Sequence, residues 1–169
     1  MPHDDFRPGV RLGIDVGKAR IGVARCDPHG MLATPLETVQ RRSDGSDVTR
    51  IAELVGETGA VEILVGLPLA LSGRVTASTE DARGFAARLA SSTGVGVRLV
   101  DERLSTVSAH SALRASGRSQ KSSRTIVDQV AAVVILQQAL DSERSTGRLP
   151  GAPVDAEETP TRHEPTPHE

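Results

Sequence analysis

Residues 12–26, LGIDVGKARIGVARC, constrain the fold more than any other stretch of the chain. They read as two apolar strands joined by the tight basic turn Gly17-Lys18-Ala19. Ile14 and Val16 alternate with Gly13, Asp15 and Gly17, so a period of two sets Asp15 on the face opposite the aliphatic side chains. An ionised carboxylate in mid-strand costs several kcal/mol unless a cation meets it. Gly13 and Gly17 share its face, and the expectation is that they leave room for a metal ion or a phosphate.

The same alternation continues downstream. A third strand is expected over residues 33–40, which makes the first three strands a meander. The period then lengthens to that of a helix over residues 47–58, with Asp47 as its N-cap and Gly59 as its stop. Val61 to Leu67 is a short apolar strand of the kind covered on both faces. A loop containing Gly73 and Arg74 leads to a helix over residues 79–91, and a further strand follows over residues 95–101. Helices are expected at residues 105–116 and 124–143, the last apolar nearly all round. This pattern predicts an α/β fold with a five-stranded mixed sheet and helices on both faces. One domain spans residues 11–144, between a loose arm (1–10) and a disordered acidic, proline-rich tail (145–169).

Composition narrows the function. The chain has no Trp or Tyr and only Phe6 and Phe85, which argues against stacking bases on aromatic platforms. A single cysteine, Cys26, rules out an internal disulfide and points to a reducing cytoplasm. No apolar run is long enough for a membrane span or a signal sequence. Beyond Ser145 two arginines face five acids, so the body is close to neutral. Any nucleic-acid contact must come from a local basic patch.

Three acidic positions stand out. Asp15 is within the first strand, Asp101 and Glu102 end the last strand, where ligand sites of open α/β sheets collect, and Asp128 opens the core face of the last helix. Each has a plain structural reading: a turn acceptor before Arg20, a salt bridge to Arg103, a first-turn acid favoured by the helix dipole. Together they describe carboxylates that repel one another unless divalent cations are present, and Mg²⁺ or Mn²⁺ suits an all-oxygen site. Such a site hydrolyses phosphodiesters with metal-activated water. The basic segment Arg114, Arg118, Lys121, Arg124 is either a solvated loop or a clamp for a phosphate backbone.

Four ordered motifs, GIDVGKARIGVA, VGLP with SGRV, VDERLST and IVDQVAAVVILQ, resemble the YqgF (RuvX-type) family of bacterial RNase H-like nucleases across residues 11–140. The resemblance implies an RNase H-like fold and a nuclease of pre-16S rRNA maturation, or a Holliday junction resolvase like RuvC. It implies Asp15, Glu102 and Asp128 as catalytic metal ligands with Asp101 beside them, and Lys18, Arg20, Arg74, Arg103, Arg118, Lys121 and Arg124 along the nucleic acid. Expected partners are structured RNA or junction DNA and ribosomal precursor particles, with the protein a monomer or weak homodimer. Two departures are visible. Ala19 stands where a Lys is common, and the fourth strand ends in Gly66-Leu67-Pro68 where RuvC carries an acid. Other classes compatible with the residues are an actin-like nucleotide binder, since Asp-x-Gly before a basic hairpin also cradles phosphates, and a non-catalytic RNA-assembly module.

Overall fold

The computed structural model describes residues 6–103 and 120–155, with the side chains of the last helix described from Asp128 onward. The helix expected at residues 105–116 lies outside them. The strands form where period-two patterning places them: β1 (Arg11–Val16), β2 (Arg20–Cys26), β3 (Ala33–Gln40), β4 (Glu62–Leu67) and β5 (Gly96–Asp101). Three helices are described, α1 (Ser46–Thr58), α2 (Ala77–Thr93) and α3 (Gln120–Thr146).

The sheet has six strands rather than the five expected. Ala152–Pro153 form β6, antiparallel to β5, and the order is β3-β2-β1-β4-β5-β6. The tail therefore does not begin at Ser145: α3 runs on to Thr146, Arg98 donates to the carbonyls of Pro150 and Gly151, and the Val154 amide donates to Val97. The loose arm is also shorter than expected, because Phe6 packs on Arg11 and Arg144, and Arg7 ion-pairs with Glu62 and Glu143. At α1 the N-cap is Gly45, while Asp47 is buried in the first turn and accepts the Arg42 amide. Thr76 caps α2 in a reciprocal box with Thr79, which also donates to the Pro68 carbonyl.

β1 is central, antiparallel to β2 and parallel to β4. Its two faces differ in chemistry. Leu12 and Ile14 join Ile21, Val23, Ile63, Val65 and Val97 beneath α1 and α2, around Ile51, Leu54, Phe85 and Leu89. The opposite face is covered by α3, whose Ala132, Ile135, Leu136, Ala139 and Leu140 pack on Ala24, Cys26, Leu64 and Val100.

Arg11, Gly13 and Asp15 form the α3-facing stripe of β1. Arg11 is 1% exposed and meets Glu143 of α3 at 2.9 Å. A Cβ on Gly13 would lie 2.7 Å from the Leu136 Cβ and 2.8 Å from the Ala132 carbonyl. The absence of a side chain there lets the helix rest directly on the strand. Asp15 comes opposite the Asp128 end. The helix thus runs antiparallel to β1, with an ion cluster at one end of the stripe and acids at the other.

Candidate active site

β1, β4 and β5 are parallel, so their carboxyl ends gather Asp15, the Gly66-Leu67-Pro68 corner and Asp101-Glu102 on one edge. Asp15 is flanked by glycine on both neighbouring strands. Gly22 is its partner on β2, and Gly66 on β4 stands one residue beyond the Ile14–Val65 pair. Each glycine admits one of the other acids. The backbone carbonyl of Asp128 occupies the space where a Cβ of Gly22 would sit. The Glu102 carboxylate, with the Ile135 side chain, fills the space above Gly66. Where RuvC was expected to carry an acid at the end of strand four, this chain lays an acid from strand five over a glycine.

The outcome is a crowded, desolvated carboxylate group. Burial, then the negative charge of Glu102 and of Asp128, raises the pKa of Asp15 from 3.8 to about 7. Asp15 and Glu102 share a hydrogen bond, and the Glu102 pKa is itself raised by burial and by Asp101. The Asp128 carboxylate turns to Arg20, with Nε 2.9 Å from Oδ2. Among the described residues no three metal-binding side chains converge on one point, because Arg20 draws Asp128 aside. The donor chemistry nevertheless fits a hard divalent cation: the acids gathered here offer carboxylate oxygens, and the half-buried Asp15–Glu102 pair would be relieved by a positive charge.

The other expected residues separate clearly. Asp101 does not join the acids. Its carboxylate clasps Arg103, at 2.6 Å to one guanidinium nitrogen and 2.9 Å to another, which holds it below the usual carboxylate range. Arg103 also donates to the Leu71 carbonyl in the loop between β4 and α2. Lys18 is exposed at the turn, and Arg74 is exposed in that loop. Arg118 lies outside the described residues, and Lys121 and Arg124 fall in the first turns of α3, where only the backbone is described. The room expected beside Gly13 and Gly17 is not a ligand space. α3 fills the first, and a Cβ at the second would stand 2.5 Å from the Arg20 carbonyl.

The glycines that matter to the site, Gly22 and Gly66, stand on either side of Asp15 across the sheet and give no signal along the strand. Gly66→Ala is expected to displace the Glu102 carboxylate and weaken Mn²⁺ binding by about tenfold or more. Isothermal titration of the folded variant checks this, and unchanged affinity would remove Glu102 from the ligand set.

Comparison with known proteins agrees with this architecture. The model of the RuvX family, described as a Holliday junction resolvase, matches residues 9–142. A protein of Clavibacter sepedonicus named "Putative pre-16S rRNA nuclease" is 62% identical over 160 residues, covering 94% of this chain and 99% of that protein. One of the same name from Leifsonia xyli is 65% identical over 150 residues, covering 89% and 97%. RuvC of T. thermophilus, solved in complex with a Holliday junction substrate, superposes with a TM-score of 0.52 at 18% identity, covering 86% of this chain and 99% of that one. The fold is RNase H-like.

Proposed function

This chain belongs to the RuvX family, and from that membership we propose that it is a divalent-metal-dependent nuclease that hydrolyses phosphodiester bonds in pre-16S rRNA maturation. The observation that carries the reading is the convergence of acids around Asp15, with the Glu102 carboxylate over Gly66 and Asp128 over Gly22, a crowding that raises the Asp15 pKa to about 7. Acids gathered at the carboxyl edge of an open sheet are placed for a ligand rather than for the core. Asp101 and Asp81, by contrast, are each clasped by an arginine away from this group.

Asp15, Glu102 and Asp128 would hold Mg²⁺ or Mn²⁺, which would supply Lewis-acid chemistry and acidify a water. The chain's own residues do the rest. Asp15 gives up its proton before it can serve as a ligand. Glu102 is held in place over Gly66. Arg20 offsets the charge of Asp128 and, with Lys18, presents cations to the phosphates of the bound strand. Asp101 stays out of the ligand set and orients Arg103 and, through it, the Leu71–Arg74 loop at the rim.

A second reading, cleavage of four-way DNA junctions, is supported by the description of the family model. The chemistry is common to both substrates. Among the described residues no helix is long and apolar enough to cross a membrane.

The deciding experiment compares cleavage of a 5′-extended 16S precursor RNA and of a four-way DNA junction, each with Mn²⁺, Mg²⁺ or EDTA. Metal-dependent cutting of the RNA is the expected result. Cutting of the junction alone transfers the assignment to the second reading, and cutting of neither overturns the nuclease proposal.

A further inference from the structure

Arg41, the residue after β3, takes no part in the acid site and yet has more partners on separate elements than most side chains around it. Its guanidinium donates to both carboxylate oxygens of Asp81 on α2, at 2.8 and 2.9 Å, and to the Gly17 carbonyl at 3.0 Å. Its Nε is 3.9 Å from the buried carboxylate of Asp47 on α1, and its plane lies 5.3 Å from the Phe85 ring centre. Its backbone amide donates to the Ala19 carbonyl at 2.9 Å. One residue thus grips both ends of the Gly17-Lys18-Ala19 turn. Within the turn, the Gly17 amide donates to the Arg20 carbonyl at 2.9 Å.

The acids that grip Arg41 stand on two helices packed against the far face of the sheet from α3. The Nη1 that donates to Asp81 also donates to the Gly17 carbonyl, so the ion pair aims the same nitrogen at the turn. That turn follows Asp15 by two residues, carries the exposed Lys18 at its tip and ends at Arg20, the partner of Asp128. A two-strand link with an exposed cation and no anchor would swing freely, and ordering it would weaken any phosphate contact it makes.

We propose that Arg41 is a positioning residue for nucleic-acid binding: anchored by Asp81 and Asp47, it fixes the β1–β2 turn so that Lys18 meets a phosphate of the substrate strand. This rests on the nucleic-acid reading of the site. It assigns a role to Arg41, whose own charge is spent on acids, and identifies the turn as a preformed phosphate contact. A planar fork that binds a carboxylate on one side and a carbonyl on the other is a task for Arg and not for Lys.

The test uses the full chain and the 5′-extended 16S precursor RNA, with Arg41→Gln, Asp81→Asn, Lys18→Ala and the double variant Arg41→Gln/Lys18→Ala. Steady-state cleavage in Mn²⁺ gives KM and kcat, and binding in EDTA across a salt series gives Kd and its salt slope. Arg41→Gln and Asp81→Asn are expected to raise KM by roughly threefold to tenfold with little change in kcat. Arg41→Gln is also expected to lower the salt slope by about one, as Lys18→Ala does, because the same phosphate contact is lost. In the Lys18→Ala background Arg41→Gln then has no further effect on Kd. Additive effects in the double variant, or a fall in kcat at constant KM, overturn the proposal, since both describe damage unrelated to Lys18. If Arg41→Gln fails to fold, Asp81→Asn decides by its KM. Wild type that binds the RNA without metal-dependent cutting overturns the nuclease reading alone, and the binding arms still decide on Arg41. Wild type that does not bind RNA overturns both.

Discussion

Asp15→Asn is expected to abolish metal-dependent cleavage and at the same time to make the metal-free protein more stable at pH 8. The loss follows from removing a ligand: the several kcal/mol that a bound Lewis acid contributes to the transition state corresponds to roughly 10³-fold in rate. The gain follows from linkage. The folded protein holds the Asp15 proton to about pH 7, whereas the unfolded chain releases it near 3.8. Between those values the folded state binds the extra proton. The stability tied to that proton is complete below about pH 4 and is lost as the pH rises through 7, at most ~4 kcal/mol at pH 8. Asn carries no charge to lose and can donate to Glu102 in place of the protonated acid. Thermal unfolding in EDTA should therefore show wild type weakening from pH 5 to pH 8 and Asp15→Asn changing less. Mn²⁺ should reverse the order at pH 8 by raising the Tm of wild type only. A variant less stable than wild type at pH 8 in EDTA would show that folding does not raise the Asp15 pKa.

Arg11→Met is expected to cost about 3–5 kcal/mol, or roughly 10 °C in Tm. Arg11 is 1% exposed and faces Glu143 at 2.9 Å and Glu62 at 3.8 Å. Both acids are buried, and Arg7 is the other cation that reaches them. Without Arg11, one half-exposed arginine must compensate two buried carboxylates. Desolvation of the unpaired charge, more than the lost attraction, sets the size of the effect. The double variant Arg11→Met/Glu143→Leu removes the stranded acid, keeps the Arg7–Glu62 pair and should recover most of the loss. Differential scanning calorimetry of the two variants checks this, and a double variant no better than the single one would locate the cost in packing.

The strands of the sheet were legible because each bears its own periodicity. β1 to β3 start and end within a residue or so of the alternating pattern, and β4 and β5 within a residue of the short apolar runs, since both signals are local properties of the chain. β6 has no such pattern. Ala152 and Pro153 lie in a proline-rich acidic stretch and become a strand only because Arg98 and Val97 of β5 offer partners from more than fifty residues away. The acids of the site were legible as misplaced charges: Asp15 in a strand, Asp128 on a core face. Which of Asp101 and Glu102 turns inward was not, because successive residues at a strand end are separated only by what the neighbouring strand leaves open. Gly66 settles this in favour of Glu102, and a pairing register is needed to see it. Arg41 was hidden for the same reason: it reads as one cation of the Gln-Arg-Arg run at the end of β3, and its partners come from α1, α2 and the β1–β2 turn.

The stripe Arg11, Gly13, Asp15 has a consequence for what keeps the acids aligned. The middle of the seam between α3 and the sheet is aliphatic, with Gln129 on Thr38 and Gln137 on the Ala33 amide along its β3 side, and aliphatic contacts alone would accept a helix displaced by a turn almost as well. The charged ends would not. Glu143 must reach Arg11, and Asp128 stands fifteen residues away, about 22 Å along the helix. The ion cluster therefore acts as a key at one end of a shaft, and the setting it locks is read at the other. A single-residue slip rotates Asp128 by about 100° and carries it off the edge where Asp15 waits. Alignment at the site is thus specified from the opposite pole of the molecule, by residues that meet no substrate.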